Sequence, residues 1–390
     1  MEATIQKIFE AGYDAYKETR RLPRHVRDAA HSIIVCRTSV LGGHVQSCPD
    51  GHFNRIWYNS CKHRMCPQCA FIQIERWLEK QKARLLWCDH YHVIFTISDK
   101  LRFLWRLNKQ IMTDILFTSA ADTLFELLGD NKYLGAKPGI IASLHTWDKT
   151  LLLHPHLHCL VTGGGLTDSR EWSTVTGGYL LPFRVVRKLF RGKILARIRK
   201  ALRAGKLTLP EEMSPRQLEN LLNKLGRRKW NVRLQERYTH GNGVLTYIAR
   251  YLRGGPISNK RIISCKDGEV TFNYGREKRA LMTLPIDRFV GRFLQHVPQP
   301  RAVYVRYYGL YNSVRKEDLV LCRKMIGQPP VEEPEFLDWQ TYCAGHGNDH
   351  PEVCPICGKR LVLTRLLPPL TASEYPENPQ PLQAFYDASG

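Results

Sequence analysis

Apolar residues recur along this chain at two periods. In "TIQKIFEAGYDAYKE", Ile5, Ile8, Phe9, Tyr13 and Tyr16 fall three or four apart, which gathers them on one helix face. Residues 1–45 are expected to be helical, a second run ending at the turn "LGGH" (residues 41–44). The same period returns in "FIQIERWLEKQKARLL" and in "LRFLWRLNKQIMTDILFTSAADTLFELLG", read as one long amphipathic helix. It returns again in "FRVVRKLFRGKILARIRKALRAGKL" and in "SPRQLENLLNKL", where Ser214 caps the helix and Pro215 fits its first turn. "HGNGVLTYIARYLRGG" predicts a further helix ended by Gly254 and Gly255. Between the helices, "YHVIFTIS", "GIIASLHTWD" and "HPHLHCLVTGGG" read as strands, the last ending in a glycine turn. "RIISCKDGEVTFNYG" reads as a hairpin about Lys-Asp-Gly, and "VYVRYYGLY" as β-rich. Strand, long helix and two strands make β-α-β-β, the opening of a ferredoxin-like antiparallel sheet in an α+β protein. After about Pro329 the chain turns rich in Pro and Glu, as a linker and tail do, and no internal repeat is present.

Charge narrows the partners. With 58 Lys+Arg against 36 Asp+Glu in 390 residues the net charge is +22, well beyond what solubility needs, and nucleic acid is the commonest polyanion that such an excess serves. At 43% hydrophobic and 10% aromatic content the chain builds a true core, in two or three domains. A membrane partner is not expected: no apolar run approaches a bilayer span, and neither a signal peptide nor a lipidation motif is recognised. A cytoplasmic protein is the expectation. The basic residues of "FRVVRKLFRGKILARIRKALRAGKL", opposite Val186, Leu189, Phe190, Ile194, Ile198 and Leu202, fit a solvated helix face and a phosphate-contacting face equally well.

Three imidazoles on alternate residues, His154, His156 and His158, would leave one face of a strand together while Pro155, Leu157 and Cys159 leave the other. Converging imidazoles suit a divalent metal; His90-Tyr91-His92 is a rival of similar pattern. Tyr247 and Tyr251 stand four apart on an expected helix, so their Cβ atoms would be about 6 Å apart on one face. The other tyrosines with this spacing, Tyr304/Tyr308 and Tyr307/Tyr311, lie in a β-rich stretch, where four residues span about 13 Å. Arg250 and Arg253 flank the helical pair, with Lys260 and Arg261 beyond, as phosphate-binding candidates. Together these residues suggest phosphoryl transfer: a metal ion at His156 and His158 polarises a phosphodiester and a tyrosine attacks phosphorus. Ester is exchanged for ester, so no ATP is needed, and no G-x-x-x-x-G-K-[ST] loop is present.

The twelve cysteines are bunched, which favours metal over disulfides. "CPDGHFNRIWYNSCKHRMCPQC" (residues 48–69) offers Cys66 and Cys69 as a zinc knuckle, Cys48 as a third ligand, and His52 or Cys61 as the fourth. Lys62, His63 and Arg64 between the knuckles are candidates to touch DNA. Cys354 and Cys357 look like half of a zinc ribbon, with Cys343, His346 and His350 as possible partners. One or two structural zinc ions are expected. Cys88, Cys159, Cys265 and Cys322, scattered among apolar neighbours, read as buried thiols.

Over most of its length the chain resembles the rolling-circle insertion-sequence transposases of the insertion sequence ninety-one type, within the His-hydrophobic-His (HUH) endonucleases. The likeness rests on "CRTSVLGGHV" followed by "YNSCKHRMCPQC", on "YHVIFTIS", on "HPHLHCLVTGGG" and on "LTYIARYLRGGPISNKRI", in that order. It implies an RRM-like catalytic sheet with an N-terminal zinc-binding module and a small zinc-ribbon-like tail. The family's metal pair falls on His156 and His158, and its two nucleophiles on Tyr247 and Tyr251. A third metal ligand is also implied, for which His154 or a residue near the tyrosine helix such as His240 would serve. One departure stands out: many relatives have Cys-x-x-Cys where this chain has Cys48, Gly51 and His52. The implied organisation is a helical and zinc-binding part at 1–88, a catalytic part at 89–328 with a basic helical insertion at about 183–230, and a linker with cysteine knot at 329–390. The implied activity is metal-dependent nicking and strand transfer of single-stranded DNA through 5′-phosphotyrosine. Element ends, target DNA and host replication or helicase machinery would be the partners, in a bacterial nucleoid setting. A plasmid-type replication initiator, or a non-catalytic zinc-dependent nucleic-acid-binding protein, is the alternative.

Overall fold

The computed structural model of the protein describes residues 3–239, 241–249, 253–275, 280–336, 338–345 and 350–371. At the N-terminus α1 (Ile5–Glu18) opens at Thr4, whose side chain accepts the Lys7 N–H, and α2 (Arg24–Ile34) follows. The helical expectation for 1–45 ends there. Gly42, at φ +64°, turns the chain into a hairpin of β1 (Gly43–Ser47) and β2 (Asn54–Tyr58). Next come α3 (Phe71–Arg84) and β3 (His90–Thr96). The long helix expected after β3 is two, α4 (Arg102–Leu107) and α5 (Lys109–Leu128). Asn108 breaks it at φ −130° and ψ 44°: its amide donates to Leu104 O and Thr208 O and accepts the Thr208 N–H, so a tertiary anchor outweighs local periodicity. Nor is α5 amphipathic, since it is buried between a sheet and a second helix layer.

The sheet that follows is the frame of the molecule. β4 (Lys137–Trp147) and β5 (Leu153–Leu166) form a long hairpin, β6 (Trp172–Thr174) pairs with the end of β5, and α6 (Phe183–Arg203), α7 (Pro215–Gly226) and β7 (Val232–Tyr238) come next. Ser214 and Gln217 make the capping box that starts α7. The remaining elements are α8 (Asn242–Ala249), β8 (Ile262–Lys266), β9 (Glu269–Asn273), β10 (Leu281–Pro285), α9 (Ile286–Leu294), β11 (Val305–Gly309), α10 (Lys316–Met325), α11 (Trp339–Gly345) and β12 (Val362–Leu367). Strand order in the main sheet is β11-β4-β5-β3-β7, antiparallel at every step, with the histidine strand β5 in the centre. The β3-α-β4-β5 succession thus gives the expected ferredoxin-like arrangement. Gly163, Gly164 and Gly165, expected as a turn, lie inside β5. They are glycines for lack of room: a Cβ at Gly164 would sit 2.3 Å from the Trp172 ring.

Alternation gives this sheet two different faces. Val93, Phe95, Ile140, Ala142, Leu144, Leu157, Cys159 and Val161 meet α5, α6 and α7 in the largest core. Here α6 is a structural layer and not an appended insertion: Phe190 lies 4.8 Å from Phe95 and 6.0 Å from Trp230, ring to ring. On its basic side Lys193, Arg197 and Arg199 pair with Glu126, Asp122 and Glu219. The opposite sheet face carries the histidines and, beside them, Ile141 and Leu160 under α3 and α8.

Two smaller units cross the boundaries expected at residues 88 and 329. α1 and α2 share a core with the β8–β9–β10 sheet and α9, where the Phe9 and Phe293 rings meet edge to face at 5.1 Å. The C-terminal segment is not a separate tail: β12 pairs antiparallel with β1 and completes the three-stranded sheet β12-β1-β2.

Leu157, wholly buried on the helix-covered face between two histidines of the other, isolates the energetic role of this frame. Leu157→Ala is expected to cost about 2–4 kcal/mol, read as a lower urea midpoint at unchanged slope. A loss below about 0.5 kcal/mol would show that the site does not belong to the packed core.

Candidate functional site

The β4–β5 register places His145 directly opposite His156, and Ser143 opposite His158. Ring nitrogens of His145, His156 and His158 lie within 4.8 Å of one another, and ring centroids are 4.1 Å apart for His145–His158 and 4.8 Å for His156–His158. Sequence reasoning missed His145, although "SLHTWD" leads into the hairpin turn that sets this pairing. His154, the expected alternative, stands at the rim, its ring 5.1 Å from His156 and outside the three-residue group.

Hydrogen bonds orient the rings of His156 and His158. His156 Nδ1–H donates to His154 O at 2.6 Å, which leaves Nε2 as the basic nitrogen. His158 Nδ1 lies 2.7 Å from His92 Nε2, so with the proton on Nδ1 its Nε2 is the basic nitrogen. The rival pattern His90-Tyr91-His92 is thereby resolved into separate roles. His92 supports His158, while His90 donates to Cys88 O and accepts from the Tyr311 hydroxyl at 2.8 Å, away from the cluster. Burial, reinforced by the neighbouring imidazoles, holds His145 and His158 well below the usual histidine range. His156 is lowered to about 4 by burial, against the opposing hydrogen bond to His154 O. Neutral imidazoles are what a metal requires, and the buried Ser143 Oγ beside them has no hydrogen-bond partner among the described residues. The donor chemistry therefore fits a divalent transition-metal ion.

The helix carrying Tyr247 lies on this same sheet face. Val244, Leu245, Ile248 and Ala249 of α8 pack with Leu160, two residues past His158. Its start is held by close packing, since Gly241 has φ +64° and a Cβ there would lie 2.9 Å from the His90 ring. Tyr251, Arg250, His240 and His346 lie outside the described residues. The rival tyrosines are bonded or buried. Tyr307 accepts from Trp77 at 3.1 Å, Tyr311 bonds His90, and burial pushes Tyr304 and Tyr308 up to about 12. Among the phosphate-binding candidates, Arg253 is half-buried just past the tyrosine segment and Lys260 is exposed. Arg261 is committed to the backbone, donating to Asn273 O and Lys149 O.

The cysteines regroup. Cys61, Cys66 and Cys69 close on Cys36, not on Cys48, while Cys48 and His52 close on Cys354 and Cys357. Cys343, expected beside Cys354, is buried outside both sets. The contacts Cys61–Cys69 at 3.7 Å and Cys48–Cys357 at 3.5 Å are far beyond a disulfide and close to the edge of a tetrahedron of zinc–sulfur bonds, about 3.8 Å. Hydrogen bonds from its sister sulfurs, Cys36 first, pull Cys69 down toward thiolate. At the second set the Cys354 thiol falls to about 7: burial opposes this, but the Cys357 and Ile356 N–H groups and the sulfurs of Cys357 and Cys48 prevail. The fourth place that sequence left between His52 and Cys61 is thus divided between two sets. The signal that could have shown it was Cys36, at the head of "CRTSVLGGHV".

Residues 8–97 match the family model described as "Transposase zinc-binding domain", and residues 139–318 the one described as "Putative transposase". The chain is 35% identical to "Putative transposase y4qJ" of Sinorhizobium fredii over 92% of this chain and 94% of that protein. It is 28% identical to "Transposase for insertion sequence element IS801" of Pseudomonas savastanoi pv. phaseolicola over 87% of this chain and 83% of the relative. No solved structure matches. Among the described residues no helix is long and apolar enough to cross a membrane.

Metal analysis tests the regrouping. Mass spectrometry of purified protein should find two zinc ions, falling to one in Cys36→Ser, in Cys66→Ser and in Cys354→Ser. Cys343→Ser should keep both, and a zinc loss there would undo the assignment. The histidines set a pH dependence for the metal-free cluster. Their imidazoles are depressed in the fold and return to about 6.5 on unfolding, so the unfolded state binds more protons below that pH. Stability is therefore full above about pH 6.5 and drops as pH falls toward 4, and denaturation midpoints that stay level over that window would contradict the burial argument.

Proposed function

Because the chain belongs to the rolling-circle insertion-sequence transposases of the insertion sequence ninety-one type, with their N-terminal zinc-binding domain, we propose that it nicks and transfers single-stranded DNA through tyrosine esters. The observation that carries this reading is that the three-histidine cluster and the helix of Tyr247 share one face of the central sheet. His145, His156 and His158 would hold Mg²⁺ or Mn²⁺, the imidazole set fitting Mn²⁺ better. When bound, the cation supplies Lewis-acid charge to a phosphate oxygen.

Each protein group then has one task. The phenol oxygen of Tyr247 or Tyr251 forms a bond to phosphorus as the bond from phosphorus to the 3′ oxygen breaks. The phenol proton ends, through solvent, on the released 3′ hydroxyl. The 5′ phosphate stays on the protein as phosphotyrosine, and the second tyrosine serves the second strand transfer. His92 holds the ring of His158, and the His154 carbonyl holds that of His156. Arg253 and Lys260 contact DNA phosphates. The two cysteine sets hold structural zinc, one in the N-terminal module and one joining it to the C-terminal segment.

The test is covalent capture. Full-length protein, Mn²⁺ and labelled single-stranded oligonucleotides covering the ends of the element that carries this gene should give a labelled protein band on a denaturing gel. His145→Ala, His156→Ala and His158→Ala should each abolish it while changing oligonucleotide affinity by less than about threefold, because phosphate contacts dominate binding. Tyr247→Phe and Tyr251→Phe should each leave some adduct and the double variant none. Adduct in the double variant would place the nucleophile elsewhere.

A further inference from the structure

Arg64 lies in the loop between Cys61 and Cys66 and contacts residues next to both halves of the proposed active site. Its backbone carbonyl accepts the Gly254 N–H at 2.8 Å, just past the tyrosine segment. Gly255 packs into the same place: its φ is +77°, and a Cβ there would lie 2.6 Å from the Phe293 ring and 3.0 Å from Met65 O. The Arg64 side chain also reaches the start of β11. Its guanidinium lies 4.9 Å above the Tyr304 ring and donates to Ala302 O at 3.4 Å. Tyr304 extends the β11–β4 pairing, its carbonyl accepting the Leu144 N–H at 2.8 Å, one residue from His145. Arg64, which sequence reasoning offered to DNA, is half-buried with its guanidinium over Tyr304.

We propose that Arg64 is a positioning residue that sets the tyrosine segment at a fixed place relative to the histidine strand, with the Cys36/Cys61/Cys66/Cys69 knuckle as its rigid base. The inference rests on the functional reading above. The knuckle fixes the Arg64 backbone and through it Gly254; the cation–π contact with Tyr304 fixes the knuckle to the edge of β4. The imidazoles are held on β4 and β5 by the sheet itself, so releasing Arg64 moves the nucleophile's support and leaves the metal ligands in place.

The experiment compares full-length wild type with Arg64→Ala, Arg64→Lys, Tyr304→Phe, Tyr304→Leu and the Arg64→Ala/Tyr304→Leu pair, using the labelled end oligonucleotides and Mn²⁺. Adduct rate is measured at saturating DNA and Mn²⁺, Mn²⁺ affinity by the loss of its free-ion paramagnetic signal, and zinc by mass spectrometry. Arg64→Ala and Tyr304→Leu should each lower the rate at least about tenfold with Mn²⁺ affinity and zinc content unchanged. The pair should be no slower than either single change, as expected of one shared contact. Arg64→Lys and Tyr304→Phe, which keep a cation over a ring, should stay near wild type. A wild-type rate in Arg64→Ala, or a loss that follows zinc or Mn²⁺, overturns the proposal. If Arg64→Ala does not fold, the Tyr304→Leu and Tyr304→Phe pair decides it, equal rates overturning it. Absence of adduct in wild type would instead refute the functional reading.

Discussion

The register of the β4–β5 hairpin is the constraint on which the site depends. A strand's side chains alternate between faces, so a slip of one residue would turn His156 and His158 toward the helices and Leu157 and Cys159 toward the site. The slip is opposed from both sides: Leu157, Cys159 and Val161 are buried against α5 and α6, and Leu160 against α8. The loop at the hairpin's end is pinned as well, Asp148 accepting from Thr150 and Leu152 while His296 and Gln295 donate to Leu151 O. Three imidazoles can be kept neutral and close together because this hydrophobic sandwich, and not their own interactions, determines where they stand.

The two cysteine sets answer a different problem, that of joining distant parts of the chain. The first connects Cys36, after α2, to the knuckle before α3, inside the core that α1 and α2 share with α9. The second gathers Cys48 and His52 with Cys354 and Cys357, where among the described residues the apolar support is only Phe53 and Leu361. So small a core is weak support for a strand pairing made across some three hundred residues, and a cation bound at the proposed site would supply the missing free energy. The β12–β1 pairing and the donor set therefore stand or fall together.

What the sequence disclosed follows from how local each signal is. Helices α1, α3, α6 and α7, the β8–β9 hairpin about Asp267 and Gly268, and the histidine strand rest on short-range periodicity and turn chemistry, and they are found where expected. The break at Asn108 was hidden because its partner Thr208 is a hundred residues away. The regrouping of the cysteines was hidden for the same reason: Cys48 has Cys61 nearer in sequence but Cys357 nearer in space. The third imidazole lay between these extremes, since "SLHTWD" and "HPHLHC" are joined by one short turn and their pairing could have been counted. Spacing rules rank ligands by distance along the chain, and only pairing ranks them by distance in space.

In the proposed reaction, metal ligands on strands and a nucleophile on a helix would divide the work in a physically sensible way. Imidazoles must keep fixed separations through a reaction, and adjacent strands tied by backbone hydrogen bonds do that best. A nucleophile carrying a DNA strand on its phenol, as proposed, would instead have to hand over to a second one, which would ask for a support that can be held firmly at its ends and still be short. α8 is such a support: its first turn is packed over His90 at Gly241, and the chain beyond it is tied to the knuckle at Gly254. Between those ties lie Tyr247 and Tyr251. On the proposed reading the zinc-binding part is thus built into the geometry on which the transfer chemistry would rest, which would give a structural reason for one chain to contain both.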